Sequence, residues 1–538
     1  MNTRLFIAMV LLACLPAKGQ QPSRPAEAEG EFQVNGTLVN SVSGELVHNA
    51  FVQLIPVAQG PQSRHVEVGK DGTFSFHNLA AGKYSLVAQA RGFPAQFFEE
   101  HEGFNTAIVV GADKVSSGIV FRMRPQSSIS GKILDEHNEP IRDAQVWLFA
   151  RNTDVGRHVI EARRQFQSDD RGEYHFGHLA PGTYYVAVQA QPWYQRYLPE
   201  PIRKMPAGQP QPEVDPALDV AYPITYYPGT TESDDAGAIV LRPGDRISAD
   251  FNLTAVPSLH ITLHTVNSDG THPTQPNFRQ RIFGEPVGFA QPKMVWGQGE
   301  TRISGIAPGD YTLNLVQFDG QTTTMRAQEV SLQQSGELDA SGAAGLEHIH
   351  GTVKFDGDDP PSNPFLEFRS LNSGSRMGAR VDEQGEFSVQ PEQAGKYMIA
   401  LGNAPGYAIR SISASGGGVS GRTIEFTGSA LEITIDASQG VGTITGTVIK
   451  GDKPVSAAMV VLVPQQIAEN ATLFRRDQSD SDGTFTLRDV VPGRYTAIAI
   501  QNGWDLEWAS PALRPYLAGG IPVQINGSQR LDIKVRAQ

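Results

Sequence analysis

One cysteine, Cys14, serves the whole 538-residue chain, and it stands among the first twenty residues. Downstream of it no disulfide can form within the chain. Each folded body must then be held by apolar packing, which favours domains of about a hundred residues over small stapled scaffolds. A thiol nucleophile is excluded from the same region. Cations are scarce as well: 44 Lys and Arg face 57 Asp and Glu, a formal charge of −13, which argues against an electrostatic grip on nucleic acid. Past residue 20 no run approaches about eighteen apolar residues, so no later transmembrane helix is expected. The short signatures of catalysis are missing too. There is no His-Glu-x-x-His helix, no Gly-x-Ser-x-Gly elbow and no Gly-x-x-x-x-Gly-Lys-Ser/Thr loop.

What is present begins with an export segment. Arg4 precedes an apolar run from Leu5 to Leu15, and Ala17-Lys18-Gly19 offers a small-residue cleavage site, so residues 1–19 read as a secretory signal peptide and 20–29 as a linker. Leu11-Leu12-Ala13-Cys14 resembles a bacterial lipobox, which makes a lipid anchor at Cys14 the alternative to cleavage near Gly19. The body then holds 55 Gly and 36 Pro spread at intervals, the composition of folded β-domains with many tight turns.

The glycines are periodic. Gly72, Gly172, Gly299, Gly385 and Gly483 are each followed ten residues later by Gly82, Gly182, Gly309, Gly395 and Gly493, and two residues beyond by Tyr84, Tyr184, Tyr311, Tyr397 and Tyr495. After the first glycine comes an alternating strand such as Phe74-Ser75-Phe76, and after the second a returning one such as Tyr84-Ser85-Leu86-Val87-Ala88. A short connection predicts that these two strands pair as antiparallel neighbours. Units open with a strand of the form Val34-Asn35-Gly36-Thr37-Leu38, repeated around Gly131, Gly351 and Gly446; the third copy, Leu259 to Leu263, lacks the central glycine. With a second strand after a Pro turn and a closing strand such as Leu531 to Val535, each unit counts about six or seven strands, which predicts an Ig-like or transthyretin-like sandwich.

The opening x-Gly-x-Val strand, the Pro-hydrophobic-x-x-Ala-x-Val turn and strand, and the Asp-x-x-Gly-x-Phe to Pro-Gly-x-Tyr segment resemble carboxypeptidase regulatory-like domains, within the transthyretin-like and carbohydrate-binding-like β-sandwiches. The resemblance covers nearly the whole body and is weakest in the third and fourth copies. It implies an all-β tandem array of about five antiparallel β-sandwich domains in an exported bacterial protein. It implies accessory, non-catalytic modules and not the zinc peptidase itself, for which no span of sufficient length remains. The expected units are 30–125, 126–256, 257–345, 346–440 and 441–538, with an irregular insertion at 191–235 in the second. Short helical turns are expected at 216–220 and 340–346.

Three features bear on ligands. His348 and His350 lie on one face of a strand, the spacing of two metal ligands, but no third is indicated, so a solvated polar pair is the expectation. Asp480-Ser481-Asp482-Gly483 begins like a calcium loop but lacks its closing glutamate and reads as a structural turn. Aromatic residues crowd the loops after the Tyr strands: Phe93, Phe97 and Phe98 in the first unit, Trp193, Tyr194 and Tyr197 in the second, and Trp504, Trp508 and Tyr516 in the fifth, with Tyr222, Tyr226 and Tyr227 added by the insertion. Such rings either cap a sandwich end, the reading preferred for each ring taken singly, or stack on a glycan or partner protein. The candidate ligand-binding set is Trp193, Tyr194, Tyr197, Trp504, Trp508 and Tyr516. No catalytic residue, metal or cofactor is expected. The functional expectation is a non-enzymatic scaffold, adhesion or binding protein of the cell envelope, periplasmic, outer-membrane-associated or extracellular. Its alternative is carbohydrate binding through the aromatics of units two and five.

Overall fold

The computed structural model describes residues 30–538 apart from 59–61, 155, 193–214, 216, 265–274, 284, 290–291, 297–299, 319–322, 342–343, 358–359, 372–375, 392–393 and 466–472. The export segment with Cys14, the glycine at 299 and the rings of Trp193, Tyr194 and Tyr197 lie outside the described residues.

In the first unit the alternating residues of β1 (Phe32–Asn40) turn Val34 and Leu38 inward, while β2 (Ala50–Pro56) buries Val52 and Leu54. They are followed by β3 (Arg64–Glu67), β4 (Thr73–Leu79), β5 (Gly82–Ala90), β6 (Phe93–Phe97), β7 (Ile108–Val110) and β8 (Ile119–Met123). One sheet has the order β4-β1-β8; the other runs β3-β2-β5-β6, with β7 also on β5. The unit is thus a two-layer sandwich around one apolar core. The same plan recurs with separate cores in 129–253, 259–340, 346–437 and 444–535, so the fold is an all-β tandem array of sandwiches. In every unit the opening strand pairs in parallel with a closing strand, as Gly36 with Ile119 and Gly446 with Ile533, so one sheet of each sandwich is mixed.

The expected pairing of the two strands that flank the Pro-Gly or Ala-Gly corner is corrected. β4 hydrogen-bonds to β1 and β5 to β2, so the corner carries the chain from one sheet to the other. The tyrosine explains why the corner is stable without strand pairing. Its hydroxyl donates to the carbonyl four residues back, Tyr84 to Ala80 at 2.9 Å, Tyr184 to Ala180 at 2.8 Å, Tyr311 to Ala307 at 2.6 Å and Tyr495 to Val491 at 2.6 Å. The ring fills the core and the hydroxyl closes the turn, the physical logic of a tyrosine corner.

The glycine of the opening strand has a steric role. A Cβ on Gly446 would fall 2.2 Å from the Ile533 carbonyl oxygen of the parallel closing strand and 2.7 Å from Cζ of Phe485, whose ring lies across it. Gly36, Gly131 and Gly351 are enclosed in the same way by Phe74, Tyr174 and Phe387. In the third unit the strand register places Leu263 opposite Thr301, where the first unit has Gly36 opposite Phe74. Large and small residues have exchanged sides, and the layer stays filled.

Two further expectations change. Val220–Ala221 and Ala344–Gly345 are short strands instead of helical turns, while Pro216 and residues 342–343 are outside the described residues. Among the described residues 3₁₀ segments run over Ser233–Asp235 and Pro511–Gly519, the latter capped by Ser510 Oγ accepting from Ala512 N at 3.1 Å.

Candidate functional site at the junction of units one, two and five

Residues 217–235 of the insertion are packed and not a free arm: Thr225–Tyr226 adds to the sheet edge beside Val188 and Ala187, and the Tyr222 ring is buried with its hydroxyl on Glu136 at 3.0 Å. Tyr226 joins Phe149 and Tyr185 around Phe283, a residue of the third unit, with ring centroids 5.0 to 5.2 Å from it. In the first unit Phe98 packs 5.6 Å from Phe121, Phe93 is partly buried on the core, and Phe97 is exposed.

The fifth unit's rings are half-buried. Trp504, Trp508 and Tyr516 pack with Leu513 over the outer face of the sheet that carries Met459, Val461, Val463, Ile498 and Ile500. Trp504 then stacks on His101 of the first unit, centroids 3.9 Å apart and planes 10° from parallel. Beside Trp508, Ala509 N donates to the Gly156 carbonyl of the second unit at 3.1 Å, and His158 N donates to Glu507 at 2.9 Å. The chain therefore folds back, and its last unit rests on its first and second.

That contact is built mostly from polar groups. The edge strand Arg475–Gln478 of the fifth unit and the turn after it face loop 98–107 and β7 of the first. Arg476, with a side chain 1 % exposed, donates to Glu102 at 2.6 Å and lies 4.5 Å over the Phe104 ring. Burial holds the Arg476 pKa below its ordinary value, opposed by Glu102. Gln478 donates to Thr106 Oγ1 at 2.9 Å and meets His101 Nδ1 at 3.2 Å; burial lowers the imidazole's pKa. Ser481 N donates to the Ala107 carbonyl at 2.9 Å, and Val109 N to Ser481 Oγ at 2.9 Å.

The Asp-Ser-Asp-Gly turn supplies the remaining links. In units two and four the aspartate three residues before the glycine caps its own turn: Asp169 accepts from Arg171 N and Glu173 N, and Asp382 from Gln384 N and Glu386 N. Asp480 holds the same position but accepts from Ala107 N at 3.1 Å and pairs with Lys83 at 2.5 Å, while Asp482 pairs with Lys114 at 2.7 Å. Burial raises the Asp480 pKa against the pull of Lys83, whereas hydrogen bonds from Lys114 and Thr484 outweigh burial and lower that of Asp482. His348 and His350 stack 5.6 Å apart at the start of the fourth unit. Among the described residues no three His, Cys, Asp or Glu converge on one point. No helix there is long and apolar enough to cross a membrane.

No curated protein matches the sequence. Among solved structures the chain is similar to the TIE protein of Bacillus anthracis, at 11 % identity over 94 % of this chain and 73 % of that one, with a TM-score of 0.17. It is similar also to GBS52, the minor pilin of Streptococcus agalactiae, at 12 % identity over 42 % of this chain and 96 % of that one, TM-score 0.21. A further similarity is to BcpA, the major pilin subunit of Bacillus cereus, at 11 % identity over 76 % and 99 %, TM-score 0.14. Overlaps this shallow carry no argument about activity or assembly. The sequence pattern is more specific: a family model matches residues 33–120 and again 128–211, the second match stopping before the closing strands that follow the insertion. The Gly-Phe strand, the tyrosine-clamped corner and these two matches agree, and the first two units are tandem carboxypeptidase regulatory-like domains.

Proposed function

We propose that the chain is an exported, non-catalytic scaffold or binding protein of the cell envelope. Its units are bounded near residues 125, 256, 345 and 440, and its last unit is clasped to its first. The observation that carries this reading is where the buried ionisable groups go. Arg476 and Asp480 are spent, with the polar Gln478 between them, on joining one sandwich to another, where an enzyme would converge ionisable groups on an open cavity. The regulatory-like family of the first two units is an accessory one, which supports the same reading.

The test has two arms. Fractionation of cells with antibody detection should recover the protein in the envelope or medium, and recovery in the cytosol would overturn export. Purified residues 20–538 should leave peptide and glycan substrates intact, and turnover abolished by a point change within the chain would overturn the non-catalytic assignment.

A further inference from the structure

Where units one, two and five meet, they enclose a cleft of about 560 Å³. Its walls come from three separate parts of the chain: Arg124 from the first unit, Arg151, His158 and Arg163 from the second, and Asp505 from the fifth. A second cavity of about 390 Å³ shares Arg151, Arg163 and the 180–183 corner and adds Arg164, so the two form one groove around that corner. The volume suits a small ligand.

The cleft wall carries three arginines, Arg124, Arg151 and Arg163, against three carboxylates, Glu100, Glu102 and Asp505, and Arg164 of the adjoining cavity makes the groove net positive in a chain of formal charge −13. Of the acidic residues in the cleft, Glu102 is already engaged by Arg476 and by the Thr153 hydroxyl at 2.7 Å. Glu100 accepts from Phe97 N at 2.9 Å. Among the described residues, neither Arg124 nor Arg151 has a side-chain hydrogen bond or ion pair, and Arg163 only approaches Glu161 at 3.7 Å. Arg124 and Arg151, without a side-chain partner in the concave wall, and Arg163, held only by a long ion pair, are set to receive carboxylate or phosphate oxygens in bidentate fashion, with Asp505 the one wall carboxylate that opposes them. A concave, low-dielectric wall also focuses their field.

We infer that this groove binds a small polyanion carrying two or more carboxylate or phosphate groups, held by Arg124, Arg151 and Arg163. The inference goes beyond the scaffold reading and does not depend on it, since it rests on the groove's charge and shape alone. The site exists only while the three units are docked, so its ligand would also favour the clasped form by binding one state and not the other.

The experiment is titration calorimetry on residues 20–538 at low ionic strength, with citrate as the carboxylate probe, pyrophosphate as the phosphate probe and acetate as the singly charged control. Citrate or pyrophosphate should bind at least about tenfold more tightly than acetate, and the tighter of the two identifies the natural chemistry. The double variant Arg151→Gln/Arg163→Gln, at two exposed positions, should weaken that binding at least about tenfold while its circular dichroism stays that of the parent. No heat from either probe, equal binding of acetate, or unchanged affinity in the folded double variant would each overturn the assignment.

Discussion

Removing the two partners of the Glu102–Arg476 pair, one at a time, should have very unequal consequences. The guanidinium is 1 % exposed and the carboxylate 25 %, and the Arg476 Nε has no acceptor even in the intact pair. In Glu102→Ala the guanidinium keeps its buried place without its counter-charge, a loss of about 3–5 kcal/mol by analogy with other broken buried pairs. In Arg476→Met the buried volume stays apolar against Phe104, and Glu102 can turn to water, so the cost should be below about 1 kcal/mol. Separating the units returns Arg476 to solvent, so the strain of Glu102→Ala is relieved by opening and not by unfolding. At about 1.4 kcal/mol per tenfold, a loss of about 3 kcal/mol shifts the docking equilibrium some hundredfold toward the open form. The near absence of cysteine makes the assay clean: Lys70→Cys and Asp452→Cys, both exposed, accept a donor and acceptor dye on units one and five. Transfer efficiency should change in Glu102→Ala and hold in Arg476→Met. An unchanged efficiency in Glu102→Ala, or equal changes in the two, would refute the reasoning.

Asp477 offers a pH signature. Burial pushes its pKa up to about 6, against hydrogen bonds donated by Thr486 N and Gln478 N. The folded value lies above the unfolded 3.8, so the folded state holds the extra proton between about pH 4 and 6; stability from this group is greatest below that window and falls as pH rises through 6. The displacement corresponds to about 3 kcal/mol, and Asp477→Asn, which keeps one of the two accepting oxygens, should gain about 1–2 kcal/mol in urea denaturation at pH 7.5. That gain should vanish at pH 4; its persistence there would contradict the assignment. Gly446→Ala should cost about 3 kcal/mol or more, because its Cβ meets backbone oxygen. Gly451→Ala, at φ +62° with open space around it, should cost only about 1–2 kcal/mol in the same denaturation assay. Phe283→Ala empties the ring cluster between units two and three, and should lower the stability of that contact by about 3–5 kcal/mol, seen as earlier proteolysis between the two units.

The repeat was legible because its residues act locally. Gly446 faces a ring on the neighbouring strand and Tyr495 clamps its own corner, so each recurs at fixed spacing wherever the sandwich does. The path through the corner was not legible: two short alternating strands joined by two residues look like a hairpin, and only the tyrosine's bond to the carbonyl four back reveals a passage between sheets. The alignment of the third opening strand slipped by two because Leu263 and Thr301 exchange the sizes of glycine and aromatic. Trp504, Trp508 and Tyr516 crowd one loop in the sequence, but their surroundings come from residues far away in it. One signal did bear on this. Met459 to Val463 is an unbroken apolar run, as is Val146 to Ala150, the mark of a strand buried on both faces. In the first unit the equivalent strand alternates and leaves Phe51 55 % exposed.

The clasp belongs to a second tier of structure with its own stability. The first and fifth cores are separate clusters, so opening their contact need not disturb either. The apolar outer face of the fifth unit is covered by that unit's own 504–517 segment, and would stay covered when the units part. What opening exposes is chiefly the Trp504 face, Arg476, Gln478 and the two aspartates with their lysines. Hydrophobic burial therefore contributes little to the choice between closed and open, and ion pairs and hydrogen bonds decide it, as at transient interfaces. Those groups arise by diverting an existing turn, since the position that caps itself in Asp169 and Asp382 reaches across to Ala107 in Asp480. Five similar sandwiches thus become one specific arrangement through residues that occur once, and denaturation should register that separation as loss of dye contact before loss of the cores.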